Sequence, residues 1–270
     1  MVRLRNTKGL TLLELLISAA ISVIIVGSAL SVYLAQHKHM IIQDQISDMQ
    51  QNVRAGMQEL ATKIRMAGYN VPDGIQAISA SNTNPDSIEI IFDSEVIDDV
   101  SLNQDMASTS ADLMCDGDLT PLQVGDWLFI YDAVLQTGEF FIISGLDVGS
   151  GRISHSGMPF ARNYPLGSPV RKLVREKYYI DNSADSTHPK LMVSSMGQTP
   201  QIYSDNITNL QFRYVLSSGT VVDVPPLATM VREVIIDLTA RADRADNDSF
   251  NRYRTRDLQT RVKVRNLGIN

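Results

Sequence analysis

The chain opens with a long apolar stretch that passes without a break into an amphipathic one. Between positions 10 and 34 the one charged residue is Glu14, and there is no proline. A helix over these positions is about 37 Å long at ~1.5 Å per residue, enough to cross a hydrocarbon core of about 30 Å. The pattern therefore predicts a membrane-spanning helix over residues 10–34.

The following stretch, residues 35–68, has the spacing of a helix with one apolar face. Apolar residues recur every three or four positions while polar residues fill the other positions. The apolar series is Ile42, Ile46, Met49, Val53, Met57, Leu60, Ile64 and Ala67. Gly68 and Pro72 then supply stop signals. We expect one continuous helix from about Leu10 to about Ala67, whose second half packs on a globular partner.

After Gly68 the pattern changes to short β-like runs separated by glycine, proline, asparagine and aspartate. We expect antiparallel strands with one solvent-exposed face at 87–92, 126–131, 139–144, 171–180, 191–194, 210–216, 231–240 and 260–264. The stretches 82–85 and 104–120 are predicted to be polar loops, and residues 149–152 a hairpin turn. The expected fold class is α+β: a long N-terminal helix packed on a β-rich globular head, residues 69–270.

Residues 1–9 form a short basic leader. They carry Arg3, Arg5 and Lys8 and no acid, which keeps this end in the cytoplasm and sends the C-terminus outward. A secretory signal peptide would have an apolar region of about 7–15 residues that ends in a small-residue cleavage site. Here the apolar run is longer and continues as helix, so we favour a membrane anchor with the head in the periplasm.

Overall composition narrows the class of partner. The chain has 270 residues, with 24 Lys and Arg against 30 Asp and Glu, a net charge of −6. This balance disfavours binding to nucleic acid or anionic lipid and favours a protein partner. Cys115 is the one cysteine, so no disulfide can form within the chain, and neighbouring Asp112, Asp116 and Asp118 should raise its thiol pKa.

Candidates for catalysis or metal binding are weak. The four histidines are scattered, and His37 and His39 lie two apart, which places them on different faces of a helix. Asp243, Asp246 and Asp248 resemble a calcium loop in spacing but lack its glycine and terminal glutamate, so a solvated loop is favoured and calcium stays open. We therefore predict no catalytic residue, metal or cofactor, and a protein that is not an enzyme.

A basic cluster near the C-terminus is interleaved with acids and apolar residues. Its members are Arg252, Arg254, Arg256, Arg261, Lys263 and Arg265. Interleaving of this kind is typical of the outer face of a strand pair rather than of a nucleic-acid groove. We expect no nucleic-acid partner.

The segment KGLTLLELLI at residues 8–17 resembles the type III signal of type IV prepilins and pseudopilins. The resemblance implies that a prepilin peptidase cleaves after Gly9 and methylates the new N-terminal residue, Leu10. Leu10 stands where phenylalanine is most common in that family, so the efficiency of methylation stays open. Glu14 becomes the fifth residue of the mature chain.

Physical chemistry explains why Glu14 suits such a segment. A carboxylate inside a membrane span costs about 2.5–3.5 kcal/mol on insertion scales, so it requires a cation when buried. Cleavage creates an amine at Leu10, and the amine of one subunit can meet Glu14 of a neighbour in a helical bundle. The alternative is a polar residue that reaches the headgroups from near the membrane edge.

A second resemblance concerns the end of the helix. Arg54-Ala55 and the sequence IRMAGY at residues 64–69 are similar to PilW-type minor pilins, as are VGDWLFIYD at 124–132 and VKVRN at 262–266 more weakly. The J-type minor pseudopilin of type II secretion is closely similar in this helix. The resemblance implies a minor subunit that helps initiate or cap assembly of a type IV pilus.

This interpretation implies particular partners and locations. The partners are prepilin peptidase, the inner membrane before assembly, and other minor and major pilins through the N-terminal helix. The protein would be a single-pass inner-membrane protein that later enters the pilus. Two alternatives remain: the J-type minor pseudopilin, and a periplasmic enzyme anchored by a single span. The sequence identifies neither the contacting minor pilins nor any surface ligand.

Overall fold

The computed structural model describes residues 11–157, 159–245 and 252–267. The chain divides into two compact units, residues 1–48 and 49–270. Helix α1, Leu12–Met66, contributes to both units. The predicted continuous helix is confirmed, and its C-terminal end falls within one residue of the expected position.

Gly68 ends the helix for a reason of backbone geometry. Its φ of +79° lies in the left-handed region, which is strained for residues with a Cβ. Its N–H donates to Ile91 O at 2.9 Å, so the turn after the helix is hydrogen-bonded to the strand that contains Ile91. A Cβ at this position would lie 2.5 Å from Leu267 Cδ2, so the fold needs glycine here on two counts.

Fifteen strands are present in the described part of the chain. In chain order they are β1 (Ile78–Ser81), β2 (Ser87–Asp93), β3 (Ser101–Leu102), β4 (Leu113–Asp116), β5 (Trp127–Asp132), β6 (Thr137–Asp147), β7 (Arg152–Ser156), β8 (Val170–Arg171), β9 (Leu173–Asp181), β10 (Lys190–Ser195), β11 (Gln201–Asp205), β12 (Ile207–Leu216), β13 (Val221–Val222), β14 (Val231–Arg241) and β15 (Thr255–Lys263). A 3₁₀ turn, Ala228–Met230, precedes β14.

These strands form three sheets in which every pairing is antiparallel. The first has the order β1-β2-β9-β10-β11, and the second has the order β13-β12-β14-β15. The third, of six strands, has the order β3-β4-β7-β6-β5-β8 and is inserted in the chain between β2 and β9. The α+β fold class with an antiparallel head is thus confirmed.

The main core lies between the second half of α1 and the first two sheets. Val53, Leu60 and Ile64 are 2%, 0% and 1% exposed, and they belong to one apolar cluster with residues of both sheets. A Cβ on Gly56 would lie 3.1 Å from Leu191 and 3.2 Å from Leu238, one residue from each sheet. The predicted apolar stripe is therefore buried from Met49 to Ala67, and it joins the two sheets.

The six-stranded sheet has an apolar core of its own. Leu113, Leu128, Ile130 and Ile153 are fully buried within it. A smaller cluster that includes Ile91, Phe129, Tyr131 and Leu173 connects this sheet to the first one. The insertion is thus a second packed layer of the head rather than an extended loop.

All eight predicted strands are present, and seven further ones were missed. The missed strands are all short, from two to five residues; Ser101–Leu102 and Gln201–Asp205 are examples. The prediction of a polar loop over residues 104–120 was wrong, because Leu113–Asp116 is a strand within it. This strand has only four residues, too few to show the alternation of apolar and polar positions that identifies a strand in a sequence. The loop at 82–85 and the hairpin turn between β6 and β7 are confirmed.

A polar network crosses the interface between α1 and the first sheet. Lys63 Nζ lies 3.0 Å from Glu176 Oε2 and 5.0 Å from the centre of the Phe92 ring. The Tyr178 hydroxyl lies 2.9 Å from Glu176 Oε2 and 3.0 Å from Glu59 Oε1. Burial raises the pKa of Tyr178, and the Glu176 carboxylate raises it further. The network fixes the rotation of the helix on the sheet.

The first prediction concerns Gly68. Gly68→Ala should destabilise the head by about 1–3 kcal/mol, because alanine must adopt a strained φ and its methyl group meets Leu267. Gly219→Ala is the matched control, since Gly219 has a φ of +83° but no atom within 4 Å of its Cβ position. Urea unfolding of the detergent-solubilised full chain measures both. Equal losses would show that the contact with Leu267 has no effect.

The second prediction concerns the Lys63–Glu176 pair. Lys63→Met should cost about 2–3 kcal/mol, because the Glu176 carboxylate is left buried without its cation. The double variant Lys63→Met/Glu176→Gln should recover more than half of that loss, since no uncompensated charge remains. The same urea titration measures it. A double variant as unstable as Lys63→Met would contradict an electrostatic role.

Candidate functional site

The first turn of α1 carries a reciprocal cap. Thr11 Oγ1 accepts a hydrogen bond from the Glu14 N–H at 3.3 Å, while Glu14 Oε2 accepts one from the Thr11 N–H at 3.2 Å. The Thr11 hydroxyl also donates to Glu14 Oε2 at 3.2 Å. This is a capping box, and it satisfies two backbone donors that a helix start leaves without partners.

The cap gives Glu14 a second property besides its charge. Its carboxylate lies in the first turn, where the helix dipole favours an anion, and it is exposed. The Thr-x-x-Glu spacing of Thr11 and Glu14 is a sequence signal for a capping box, and it identifies Thr11 as the partner of Glu14. Thr11 is therefore a site residue that sequence reasoning missed.

Two other predicted site residues, Gly9 and Leu10, lie outside the described residues. Cleavage after Gly9 and methylation of Leu10 therefore stay predictions. Thr11 and Glu14 follow them directly in the chain, so the described helix begins immediately beyond the predicted cleavage point.

The apolar half of α1 satisfies its own polar groups. The Ser18, Ser22 and Ser31 hydroxyls donate to backbone carbonyls three or four residues earlier, at 3.0, 2.7 and 2.9 Å. Such internal bonds let hydroxyl groups enter an apolar environment without loss. Among the described residues, α1 is the one helix long and apolar enough to cross a membrane, and its most apolar window has no buried residue.

The histidines are held apart, and three of the four have local contacts. His37 stacks on Tyr33 one helical turn earlier, with ring centres 6.0 Å apart. His155 packs beside Phe160 in the six-stranded sheet, and His188 Nδ1 lies 2.7 Å from Asp185 Oδ2. Across the parts of the chain that the structure describes, no three His, Cys, Asp or Glu residues are grouped as metal ligands.

The loop considered for calcium is described only in part. Asp243 Oδ1 lies 3.4 Å from His188 Nε2, and Asp243 Oδ2 lies 3.9 Å from Arg244 Nε. Asp246 and Asp248 lie outside the described residues. Arg244 offsets part of the charge of Asp243, and calcium binding stays untested.

Cys115 is buried, 3% exposed, within the core of the six-stranded sheet. Burial raises the pKa of its thiol to about 12, and Asp116 adds to the effect. The predicted direction is confirmed, but burial rather than the neighbouring acids is the main cause. The thiol is therefore protonated at neutral pH and is unsuited to act as a nucleophile.

Many acidic residues of the six-stranded insertion have a structural use. Asp132 Oδ1 accepts hydrogen bonds from the Val134 and Leu135 N–H groups at 2.9 and 3.1 Å. Asp118 and Asp147 accept bonds from backbone groups of the following turns in the same way. These carboxylates stabilise turns, so the acidity of the insertion does not indicate a ligand site.

Arg261 and Lys263 of β15 lie on an exposed, charge-alternating sheet face, as predicted. Arg261 lies 3.3 Å from Glu233 on β14, and Arg213 on β12 lies 3.0 Å from Asp237. Val262 and Val264 point to the core. Cross-strand pairing of this kind neutralises part of the charge that a nucleic-acid surface would present.

Comparison with known families identifies the N-terminal segment. Residues 4–30 match the prokaryotic N-terminal methylation motif. The motif spans Gly9, Leu10, Thr11 and Glu14, and it indicates a type IV pilin-like protein that is processed as a prepilin. The motif implies processing by prepilin peptidase and association with pilin-like subunits in general, and the motif and the apolar helix fit an inner-membrane anchor.

The match covers the start of the chain and not the head. No curated protein and no solved structure matches this sequence. The methylation motif thus indicates a chain processed as a prepilin, and the three sheets form the head that follows this segment.

Proposed function

We propose that this protein is a minor pilin, a structural subunit that helps initiate or cap assembly of a type IV pilus. The observation that supports it is the methylation motif at residues 4–30 followed by one uninterrupted helix, Leu12–Met66, whose second half forms part of the head core. In an enzyme with a simple anchor, no continuous helix has to join the membrane span to the catalytic domain. In a filament subunit, a continuous helix holds the head in a fixed position on the helical bundle.

The size of the head supports a minor rather than a repeating role. It contains two sheets around α1 and a six-stranded insertion with a separate core. A head of this size would crowd neighbouring copies in a shaft, whereas one copy at or near a tip has room. The similarity of residues 64–69 to PilW-type minor pilins supports the same role.

The J-type minor pseudopilin of type II secretion is the alternative that shares these mechanics. The same helix-end sequence supports it, and it would act in a short periplasmic filament. Genes for other minor pilins beside this one would favour the pilus, and genes for secretion-channel components would favour the alternative.

The proposed life cycle gives α1 two environments. The unprocessed chain lies in the inner membrane with its head in the periplasm. Cleavage after Gly9 frees the Leu10 amine, and residues 10–34 then move from lipid into a bundle of subunit helices. Glu14 pairs there with the amine of a neighbour and sets the axial register of the two helices.

The proposed role is structural rather than catalytic. Several of the described titratable groups are used in a helix cap, turn caps, the Lys63–Glu176 pair and cross-strand pairs. A soluble enzyme domain would instead concentrate several such groups in one cleft. The anchored-enzyme alternative predicts turnover of a substrate that needs no pilus component.

The third prediction tests Glu14. Cells carrying Glu14→Ala should make at least about tenfold fewer pili, because an amine left unpaired in an apolar bundle costs about 2.5–3.5 kcal/mol. Pili are counted by electron microscopy or by shearing and immunoblotting, with the level of processed protein measured in parallel. Processed protein should be unchanged, since cleavage precedes assembly.

Thr11→Ala is the matched control, because it breaks the capping box and leaves the Glu14 charge. It should retain most pili. Equal losses in Thr11→Ala and Glu14→Ala would mean that the helix cap, not the charge pair, matters. Normal pilus numbers in Glu14→Ala cells would contradict the proposed role of Glu14 in register.

A further inference from the structure

An open groove lies beside the C-terminal end of α1, within the head. Its volume is about 430 Å³, and it is lined by Arg65, Met66, Tyr69, Glu95, Arg265 and Asn266. A second depression of about 510 Å³ shares Tyr69, Glu95 and Asn266 with it and also contains Asp98, which pairs with Arg171 at 2.7 Å. The two form one continuous surface feature built from three separate parts of the chain.

Hydrogen bonds hold the walls of the groove in place. Asn266 Nδ2 donates to Arg65 O at 3.2 Å and ties the C-terminal segment to the last turn of α1. The Asp93 N–H donates to Tyr69 O at 2.9 Å and ties β2 to the turn after the helix. The groove is therefore formed before any partner binds, which lowers the entropic cost of binding.

The groove combines apolar surface with an excess of positive charge, because two arginines and one acid, Glu95, line it. Met66 is 36% exposed and Tyr69 is 39% exposed. The Tyr69 hydroxyl donates to the Glu95 carboxylate, so that acid already has a partner. Among the described residues, neither Arg65 nor Arg265 has a carboxylate within 4 Å, the ion-pair distance used for the other pairs.

The position of Arg65 has one structural explanation that does not extend to Arg265. A cation in the last turn of a helix interacts favourably with the helix dipole, and both Lys63 and Arg65 lie there. Arg265 follows β15 and gains nothing from that dipole. Two guanidinium groups therefore line the same groove, and the one acid in its lining, Glu95, can balance at most one of them.

We propose that this groove docks an extended segment of a neighbouring subunit that carries a carboxylate beside an apolar side chain. The carboxylate binds between Arg65 and Arg265, which can donate paired N–H groups to it. The apolar side chain lies on Met66 and the Tyr69 ring. This inference rests on the proposed function, because it takes the partner to be another pilin-like subunit.

The fourth prediction uses site-specific photo-crosslinking in cells that assemble pili. Val96 is exposed and adjoins Glu95, so p-benzoyl-phenylalanine at position 96 lies at the rim and leaves the lining residues intact. Irradiation should join the full chain to another pilin subunit. Mass spectrometry should place the adduct within a few residues of an Asp or Glu that adjoins an apolar residue. The same probe at Val148, exposed on the β6–β7 turn, is the positional control.

Charge reversal tests the role of the arginines. Arg65→Glu/Arg265→Glu should lower the crosslink yield at least about fivefold, the loss expected when an attractive contact becomes repulsive. Arg256→Glu, an exposed arginine on β15 outside the groove, should leave the yield unchanged. If charge reversal prevents folding, Arg65→Gln/Arg265→Gln replaces it and should give a smaller loss in the same direction.

Several outcomes would overturn the proposal: a yield no higher than at Val148, an adduct to lipid, an adduct peptide without an acid, or a yield that both arginine variants leave unchanged. The proposed function fails separately, when Glu14→Ala cells make normal numbers of pili. If the arginine variants leave the crosslink yield unchanged while pilus number still depends on Glu14, the docking proposal fails and the proposed function stands. Restored crosslinking when the partner's acid is changed to arginine in the Arg65→Glu/Arg265→Glu background would establish the contact.

Discussion

The burial of one face of α1 between two sheets is the interaction on which the head depends. Val53, Leu60 and Ile64 are almost completely buried, and residues of both the first and second sheets surround them. An apolar side chain of this size gains about 1.5–3 kcal/mol on burial, so the helix stripe is a main source of stability. The same helix carries the methylation motif at its other end.

This arrangement divides the helix by environment without interrupting its backbone. Residues from Leu12 onward form a segment whose serine hydroxyls bond to its own carbonyls, so it suits lipid or a bundle of helices. From Met49 onward the helix has an apolar stripe and polar flanks, so it suits a sheet. Gly68 then ends the helix, and its N–H bonds to Ile91 on β2. The six-stranded insertion enlarges the head without altering that connection.

Local signals in the sequence predicted local structure well. The length of the apolar run and the stripe at 42–67 predicted α1, and alternation at Ile236, Leu238 and Ala240 predicted the buried face of β14. The sequence could not predict pairings such as Ile88 with Tyr178, because they join strands ninety residues apart. The groove beside α1 was missed for the same reason. Thr11 was missed although its spacing from Glu14 was visible.

The central claim is that the chain is cut after Gly9 to expose Leu10 and the cap that follows it. The most direct test is to produce the full chain with a prepilin peptidase and determine the mature N-terminus by mass spectrometry. The account predicts a chain that begins at Leu10, with or without an added methyl group, and no such product when the peptidase is absent. A mature chain that begins at any other residue, or one that keeps residues 1–9, would contradict it.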